Sequence, residues 1–265
     1  MSTFTIIGLG FIADKHLAAI NNIGGEILAG CDIDEAKSHK VNIFYTDWER
    51  MLDKVTSDYV VICTPNHLHF QMALKALELG RKVILEKPAV LKKEELDVLE
   101  KYSDRVFNIF QLRFNKELIE RKRNITDKHY NAEFAVCVHR DDWYYDSWKN
   151  KKEESGGLMF NIGVHYFDLL CWFFGEPKSW TLDESTDRRA KGTIKFNNCD
   201  AKWILTIDQP HDNQFRYMKI DGEQINLSQG FENLHTKIYE EAEKGINIKT
   251  EELRSVINLL TSLNN

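Results

Sequence analysis

The stretch Phe4-Thr5-Ile6-Ile7-Gly8-Leu9-Gly10-Phe11-Ile12-Ala13-Asp14-Lys15-His16 decides the reading of the first half of the chain. A short apolar run meets two glycines, and a helical pattern through Leu17, Ala18 and Ile20 begins at once. This is a strand, a tight turn and the start of a helix, the arrangement that seats a pyrophosphate on a helix N-terminus. Gly8 permits the turn, Gly10 lets the backbone approach the ligand, and Ala13 is small enough for the helix to pack on the strand. Phe11 and Ile12 lie on the same loop and are read with the glycines as cofactor-binding positions. A second apolar strand, Glu26 to Cys31, ends in Asp32. A carboxylate about twenty residues past such glycines accepts hydrogen bonds from the adenosine ribose hydroxyls. It also repels a 2′-phosphate, so the expected cofactor is NAD rather than NADP. The competing reading is a plain α/β turn with a surface aspartate.

Outward from this stretch, strand and helix alternate. Residues 41–45 read as a third strand and 59–63 as a fully apolar one, of the kind buried in parallel sheets. Ligands in open α/β sheets bind beyond the carboxyl ends of the strands, which places Thr64, Pro65, Asn66 and His69 beside the cofactor. His67 and His69 have no acidic or cysteine neighbour in the sequence, and no metal is expected. The next strand, Lys82 to Leu85, ends in Glu86-Lys87-Pro88, where the proline fixes φ and removes a donor. A lysine next to a bound nicotinamide feels a positive charge and partial desolvation, both of which lower its pKa. A move from about 10.4 to about 7 corresponds to about 4–5 kcal/mol. The plain alternative is an exposed lysine paired with Glu86.

The chain of 265 residues is 43% hydrophobic and 29% charged, with four prolines. Its net charge of −6 argues against a nucleic-acid partner, whose footprint would be basic. No apolar run reaches the length of about 18 residues expected of a membrane span. Met1 leads directly into the first strand, so neither a leader peptide nor a membrane partner is expected. Five cysteines lie singly in apolar runs without C-x-x-C spacing, which reads as reduced thiols and a cytoplasmic location.

A helix (92–102) and a strand (106–110) complete the nucleotide half, so the expected domains are residues 1–112 and 113–265. In the second, a helix (114–123) and a strand (131–140) precede the aromatic stretch Asp142-Trp143-Tyr144-Tyr145-Asp146-Ser147-Trp148-Lys149. Trp143 and Trp148 beside Lys149 and Arg140 suit a sugar or base ring carrying anionic groups, or equally a hydrophobic lid. Residues 157–174 read as one helix with Asn161, His165 and Asp168 at i, i+4 and i+7, hence on one face. His165 is the best general base in the chain, because imidazole titrates near working pH. Strands over 190–196, 200–208 and 215–220 supply a second sheet, and helices over 233–244 and 250–263 are amphipathic with no special role.

Three motifs together, G-x-G-x-x-A-x-x-H, C-T-P-N-H-x-H and E-K-P, resemble those of the Gfo/Idh/MocA oxidoreductases. The resemblance implies an α/β protein. Its parts are an N-terminal Rossmann dinucleotide-binding domain and a C-terminal α/β domain with an open, mostly antiparallel sheet that serves oligomerisation. It implies a cis bond before Pro88 and Glu86 and Lys87 near the cofactor, with Lys87 and His165 as the catalytic pair. Where the family helix usually carries D-x-x-x-H-x-x-D, this chain has Asn161, which cannot titrate and is left to orient substrate together with Asp168. Asn-Ile-Gly-Val-His, N-I-F-Q-L-R, W-Y-Y-D-S-W-K and the run 228–241 are similar to one branch, the 3-dehydrogenases of UDP-N-acetylglucosamine and its uronate. That branch implies a UDP-linked amino sugar substrate, coupling to an aminotransferase in surface polysaccharide and lipopolysaccharide synthesis, and a homo-oligomer, dimer or tetramer. Arg113, Arg140 and Lys149 are then expected to hold the diphosphate or a sugar carboxylate. The alternatives are a dehydrogenase of a free sugar or inositol, and a non-catalytic NAD-binding regulator.

Overall fold

The computed structural model describes residues 1–225, 227 and 233–264 and divides the chain into two units. Of the run 228–241, residues 228–232 lie outside the described residues. The first unit holds Met1–Val90, Glu94–Phe114 and Asn233–Glu252; the second holds Leu91–Lys93, Asn115–Glu232 and Leu253–Asn265.

The first unit is built on β1 (Thr3–Ile7), β2 (Glu26–Cys31), β3 (Phe44–Tyr45), β4 (Tyr59–Ile62), β5 (Lys82–Leu85) and β6 (Val106–Asn108). They form one parallel sheet in the order β3-β2-β1-β4-β5-β6. Every residue of β4, and β5 after Lys82, is buried, which is why these strands read as unbroken apolar runs. The strand order reverses between β1 and β4, and at such a switch point a crevice opens beyond the carboxyl ends of the strands. Gly8, Asp32, Thr64 and Glu86 all sit at those ends. The helix Ala13–Asn22 leads from β1 and buries Ala13, His16, Ala19 and Ile20.

A single cut at 112/113 does not describe this unit. The helix Leu234–Glu243 returns to it, packs against Ala13–Asn22 and buries Leu234, Ile238, Tyr239 and Ala242. The reason is apolar: Ile238, Tyr239 and Ala242 join the core around Phe4, Ile20 and Tyr59. Burial of the large side chains is worth about 1.5–3 kcal/mol each. The Tyr59 hydroxyl donates to the carbonyl of Ala242 at 3.0 Å, and Asn108 Nδ2 donates to that of Ile248 at 3.0 Å.

The second unit is built on β7 (Tyr130–Cys137), β8 (Ser179–Ser185), β9 (Arg189–Lys195), β10 (Cys199–Thr206), β11 (Phe215–Ile220) and β12 (Glu223–Ile225). Their order is β12-β11-β7-β10-β9-β8. Only β7 and β10 run parallel, so the sheet is mixed and mostly antiparallel. The helix Val164–Phe174 covers one face, with Phe167 edge-on to Phe134 and Trp203, each at 5.1 Å. The helix Arg254–Asn264 packs against it and buries Val256, Ile257, Leu259, Leu260 and Leu263. The segment Lys152–Phe174 is long and apolar enough to cross a membrane by length and composition, but 72% of its apolar window is buried in the fold. A core helix gives the same signal.

Candidate active site

In the first unit, Gly8 has φ +87, and a Cβ there would lie 2.7 Å from the carbonyl oxygen of Cys63. Glycine is therefore required both for the turn and for the close passage of β4. A Cβ on Gly10 would meet nothing within 4 Å, so space is open on the side where the motif expects a pyrophosphate. The helix Ala13–Asn22 starts without a side-chain cap, and in its first turn the N–H groups of Ala13 and Lys15 donate to the carbonyls of Gly10 and Ile12. Phe11 is 85% exposed and Ile12 half-buried on this turn. The N–H groups of Leu9 and Asp34 donate to the two oxygens of Asp32 at 2.7 and 2.9 Å and fix the carboxylate at the end of β2. Those residues fit the dinucleotide: an open backbone approach for the pyrophosphate and an oriented acceptor for the ribose.

After β4, Thr64 and Pro65 are half-buried and Asn66 is buried. His69 needs correction as a cofactor contact. Its ring is buried, with Nδ1 2.8 Å from the carbonyl of Pro88 and Nε2 3.0 Å from that of Thr64. A neutral ring has one N–H for these two carbonyls, so it donates to one of them and braces the two strand ends from a buried position. His67 is exposed.

The peptide bond Lys87-Pro88 is cis, as the resemblance implies. The Lys87 N–H donates to Glu86 Oε2 at 3.1 Å, while Glu86 Oε1 lies 3.0 Å from His16 Nε2. His16 Nδ1 lies 2.7 Å from the Tyr239 hydroxyl, and His235 Nε2 is 3.6 Å from Glu86 Oε1. Burial pushes the Glu86 carboxyl up, but the donor from His16 and the nearby His235 and Lys87 outweigh it and hold the group well below the usual range. Burial lowers the pKa of His16 and keeps the ring neutral. His16, Glu86 and His235 bring ligand atoms within 4.8 Å of one another, the residue types of a metal centre. However, both His16 nitrogens are already engaged by Tyr239 and Glu86, so the set is a hydrogen-bonded cluster.

In the second unit helical backbone runs through 157–174 as expected, but Met159–Gly163 within it is a π-helical turn, and the regular α-helix Val164–Phe174 follows it. π-turns inside helices are often found at functional sites. Asn161 sits on the turn and is half-buried, like His165, whereas Asp168 is buried. The expected polar stripe is thus open at Asn161 and His165 and closed at Asp168, which corrects its place among the substrate contacts. Asn161 Nδ2 donates to the Tyr144 hydroxyl at 3.0 Å and to the Lys149 carbonyl at 3.3 Å, tying the turn to the aromatic stretch. There Lys149 Nζ lies 4.9 Å from the ring centre of Trp143 and 5.9 Å from that of Trp148, and the Arg140 guanidinium is 5.7 Å from that of Tyr144. A cavity of about 230 Å³ opens beside this cluster, lined among others by Tyr144, Lys149, Lys152, Met159, Ser185 and Asn264.

Arg113 also needs correction. It is buried in the first unit, and its Nη1 pairs with Glu252 at 3.3 Å, on the returning segment. A guanidinium already matched by a carboxylate is a poor diphosphate anchor. Conversely, sequence reasoning passed over His16, Tyr144, His235 and Tyr239. Each lay inside a quoted motif, His16 at the end of G-x-G-x-x-A-x-x-H, Tyr144 in W-Y-Y-D-S-W-K, and His235 and Tyr239 in the run 228–241, but no motif showed which side chains meet.

Two family descriptions match the chain: "Oxidoreductase family, NAD-binding Rossmann fold" of GFO_IDH_MocA over residues 2–114, and "GFO/IDH/MocA C-terminal domain" over residues 128–208. Among solved structures, the WlbA (WbpB) dehydrogenase of Thermus thermophilus, in complex with NAD and UDP-GlcNAcA, is similar with a TM-score of 0.91 and 30% identity. The match covers 100% of this chain and 95% of that one. D-glucoside 3-dehydrogenase of Escherichia coli is 27% identical over 76% of this chain and 68% of its own length. Glucose-6-phosphate 3-dehydrogenase of Bacillus subtilis is 27% identical over 78% of this chain and 62% of its own length.

Proposed function

The chain belongs to the Gfo/Idh/MocA oxidoreductases, and we propose that it oxidises the C3 hydroxyl of a UDP-2-acetamido sugar, UDP-GlcNAc or its uronate, to the 3-keto sugar nucleotide. The observation that carries this reading is the full-length likeness to an enzyme solved with NAD and UDP-GlcNAcA. NAD, when bound, supplies the hydride acceptor. His165 takes the proton of the 3-hydroxyl, and Lys87 stabilises the developing alkoxide. Gly8, Gly10, Asp32, Thr64, Pro65 and Asn66 seat the dinucleotide. Asn161 orients the sugar without titrating, and Arg140, Lys149, Trp143 and Trp148 receive its anionic and ring portions. An aminotransferase consuming the 3-keto product, a role in surface polysaccharide synthesis, a cytoplasmic setting and a homo-oligomer complete the reading. Five buried cysteines without C-x-x-C spacing agree with a reducing compartment.

The test is incubation with NAD and each UDP-sugar, with 2-oxoglutarate or an aminotransferase added to draw the equilibrium forward, and absorbance followed at the NADH band. Lys87→Ala and His165→Ala are each expected to lower turnover about 10²–10⁴-fold with NAD affinity retained. Unchanged turnover removes the residue from the mechanism. A second reading keeps the C3 chemistry and changes the substrate to a free glucoside, and the Escherichia coli relative favours it. Turnover of a glucoside with none of a UDP-sugar selects that reading.

A further inference from the structure

We propose that His235 and Tyr239, on the helix that returns from the far end of the chain, are positioning residues that act through Glu86 to orient Lys87 and set its electrostatic surroundings. The proposal rests on the reading of Lys87 as the residue beside the reacting carbon. An ionised carboxylate only accepts hydrogen bonds, so His16 Nε2, 3.0 Å from Glu86 Oε1, carries the proton. A neutral imidazole then accepts at Nδ1, and the Tyr239 hydroxyl, 2.7 Å away, must donate. The result is a directed chain: Tyr239 O–H to His16, His16 N–H to Glu86 Oε1, and Lys87 N–H to Glu86 Oε2. His235 closes the other side, with its ring edge-on to His16 at 5.2 Å and its Nε2 3.6 Å from the same carboxylate oxygen.

A buried carboxylate carries a desolvation penalty of several kcal/mol, and a plain core would do without it. Here it stands one residue before the amine on which the proposed chemistry depends. Cys63, His69, Lys87, Tyr239 and the two histidines of the cluster all feel Glu86, and Lys87 follows it directly in the chain. The anion therefore favours the ammonium form of Lys87, and whatever weakens the anion weakens that preference.

The experiment uses the full chain with NAD bound, its lysines ¹³C-methylated reductively, and the Lys87 signal assigned with Lys87→Arg. Glu86→Gln and His235→Ala are expected to lower the midpoint of that signal's titration by about one unit, a tenfold loss of proton affinity. Tyr239→Phe is expected to act in the same direction and less, and His235→Gln, which keeps an amide donor, to return most of the shift. Where a sugar is turned over, His235→Ala is expected to lower kcat about tenfold with KM little changed, the mark of an interaction made in the transition state. A Lys87 titration that stays in place while only thermal stability falls overturns the proposal. So does a stoichiometric transition metal that copurifies with the wild type and is lost in His235→Ala. The titration needs no substrate, so a protein silent towards every sugar refutes the proposed function and leaves this test standing.

Discussion

Glu86 and Lys149 are both charged groups set among rings, and the two settings are opposites. Glu86 is 6% exposed, and each of its oxygens meets a donor at hydrogen-bond distance. Lys149 lies over two indoles, and that of Trp143 is 53% exposed. The first group is fixed by directional bonds that leave no second arrangement. The second is held by broad cation–π attraction, worth about 0.5–1 kcal/mol at an exposed site, which a ligand can replace on arrival. The setting of Glu86 is thus held by directional bonds, and that of Lys149 by contacts that a charged ligand can replace.

The largest expected break in this contrast is His16→Leu. It leaves the buried Glu86 carboxylate without its ring donor and is expected to cost about 3–5 kcal/mol in urea unfolding. Gly8→Ala follows, since its Cβ meets the Cys63 carbonyl at a positive φ. About 2–4 kcal/mol and the loss of NAD binding by calorimetry are expected. Third, the setting of Glu86 is acid-sensitive. The folded pKa values of His16 and His69 are lowered from 6.5, so the unfolded chain binds more protons and stability falls as pH drops below about 6.5. Glu86, held below its ordinary value, adds a further loss below about 4.3. Hydrogen exchange at pH 7.5 and 5.5 is expected to show faster opening of β4, β5 and Leu234–Glu243, with β7 and β10 little changed. Tyr144→Phe removes the acceptor for Asn161 and is expected to cost about 1 kcal/mol in thermal unfolding. Lys149→Ala is expected to change stability by under about 0.5 kcal/mol while raising KM for a diphosphate substrate.

The same contrast explains what the sequence disclosed. β1, β4 and β5 are short apolar strands bounded by turns, and Gly8 and Asp32 announce their roles by spacing alone, so the dinucleotide half is legible residue by residue. β8 was not foreseen, because six of its seven residues are exposed and no apolar alternation marks it. The helix 234–243 was legible as amphipathic, but periodicity states that a stripe is buried and not against what. Its target, Phe4 with Tyr59, lies at the opposite end of the chain. The cluster at Glu86 was illegible for the same reason, since His16 and Tyr239 are separated by 223 positions. The π-turn at Asn161 alters one turn of backbone bonding, which an i, i+4, i+7 pattern does not register. Arg113 was misjudged because a sequence displays charge without its pairing.

The returning helix has a consequence for synthesis on the ribosome. The sheet of the first unit is translated early, but Tyr239 and His235 emerge only after residues 115–232 have been made. At ~5–20 residues per second that is a delay of roughly 6–24 s. Throughout that interval the nascent nucleotide fold lacks a wall, and the carboxylate at position 86 has no tyrosine-backed imidazole to hold it. Completion of the first unit therefore waits until residues 233–252 have been made.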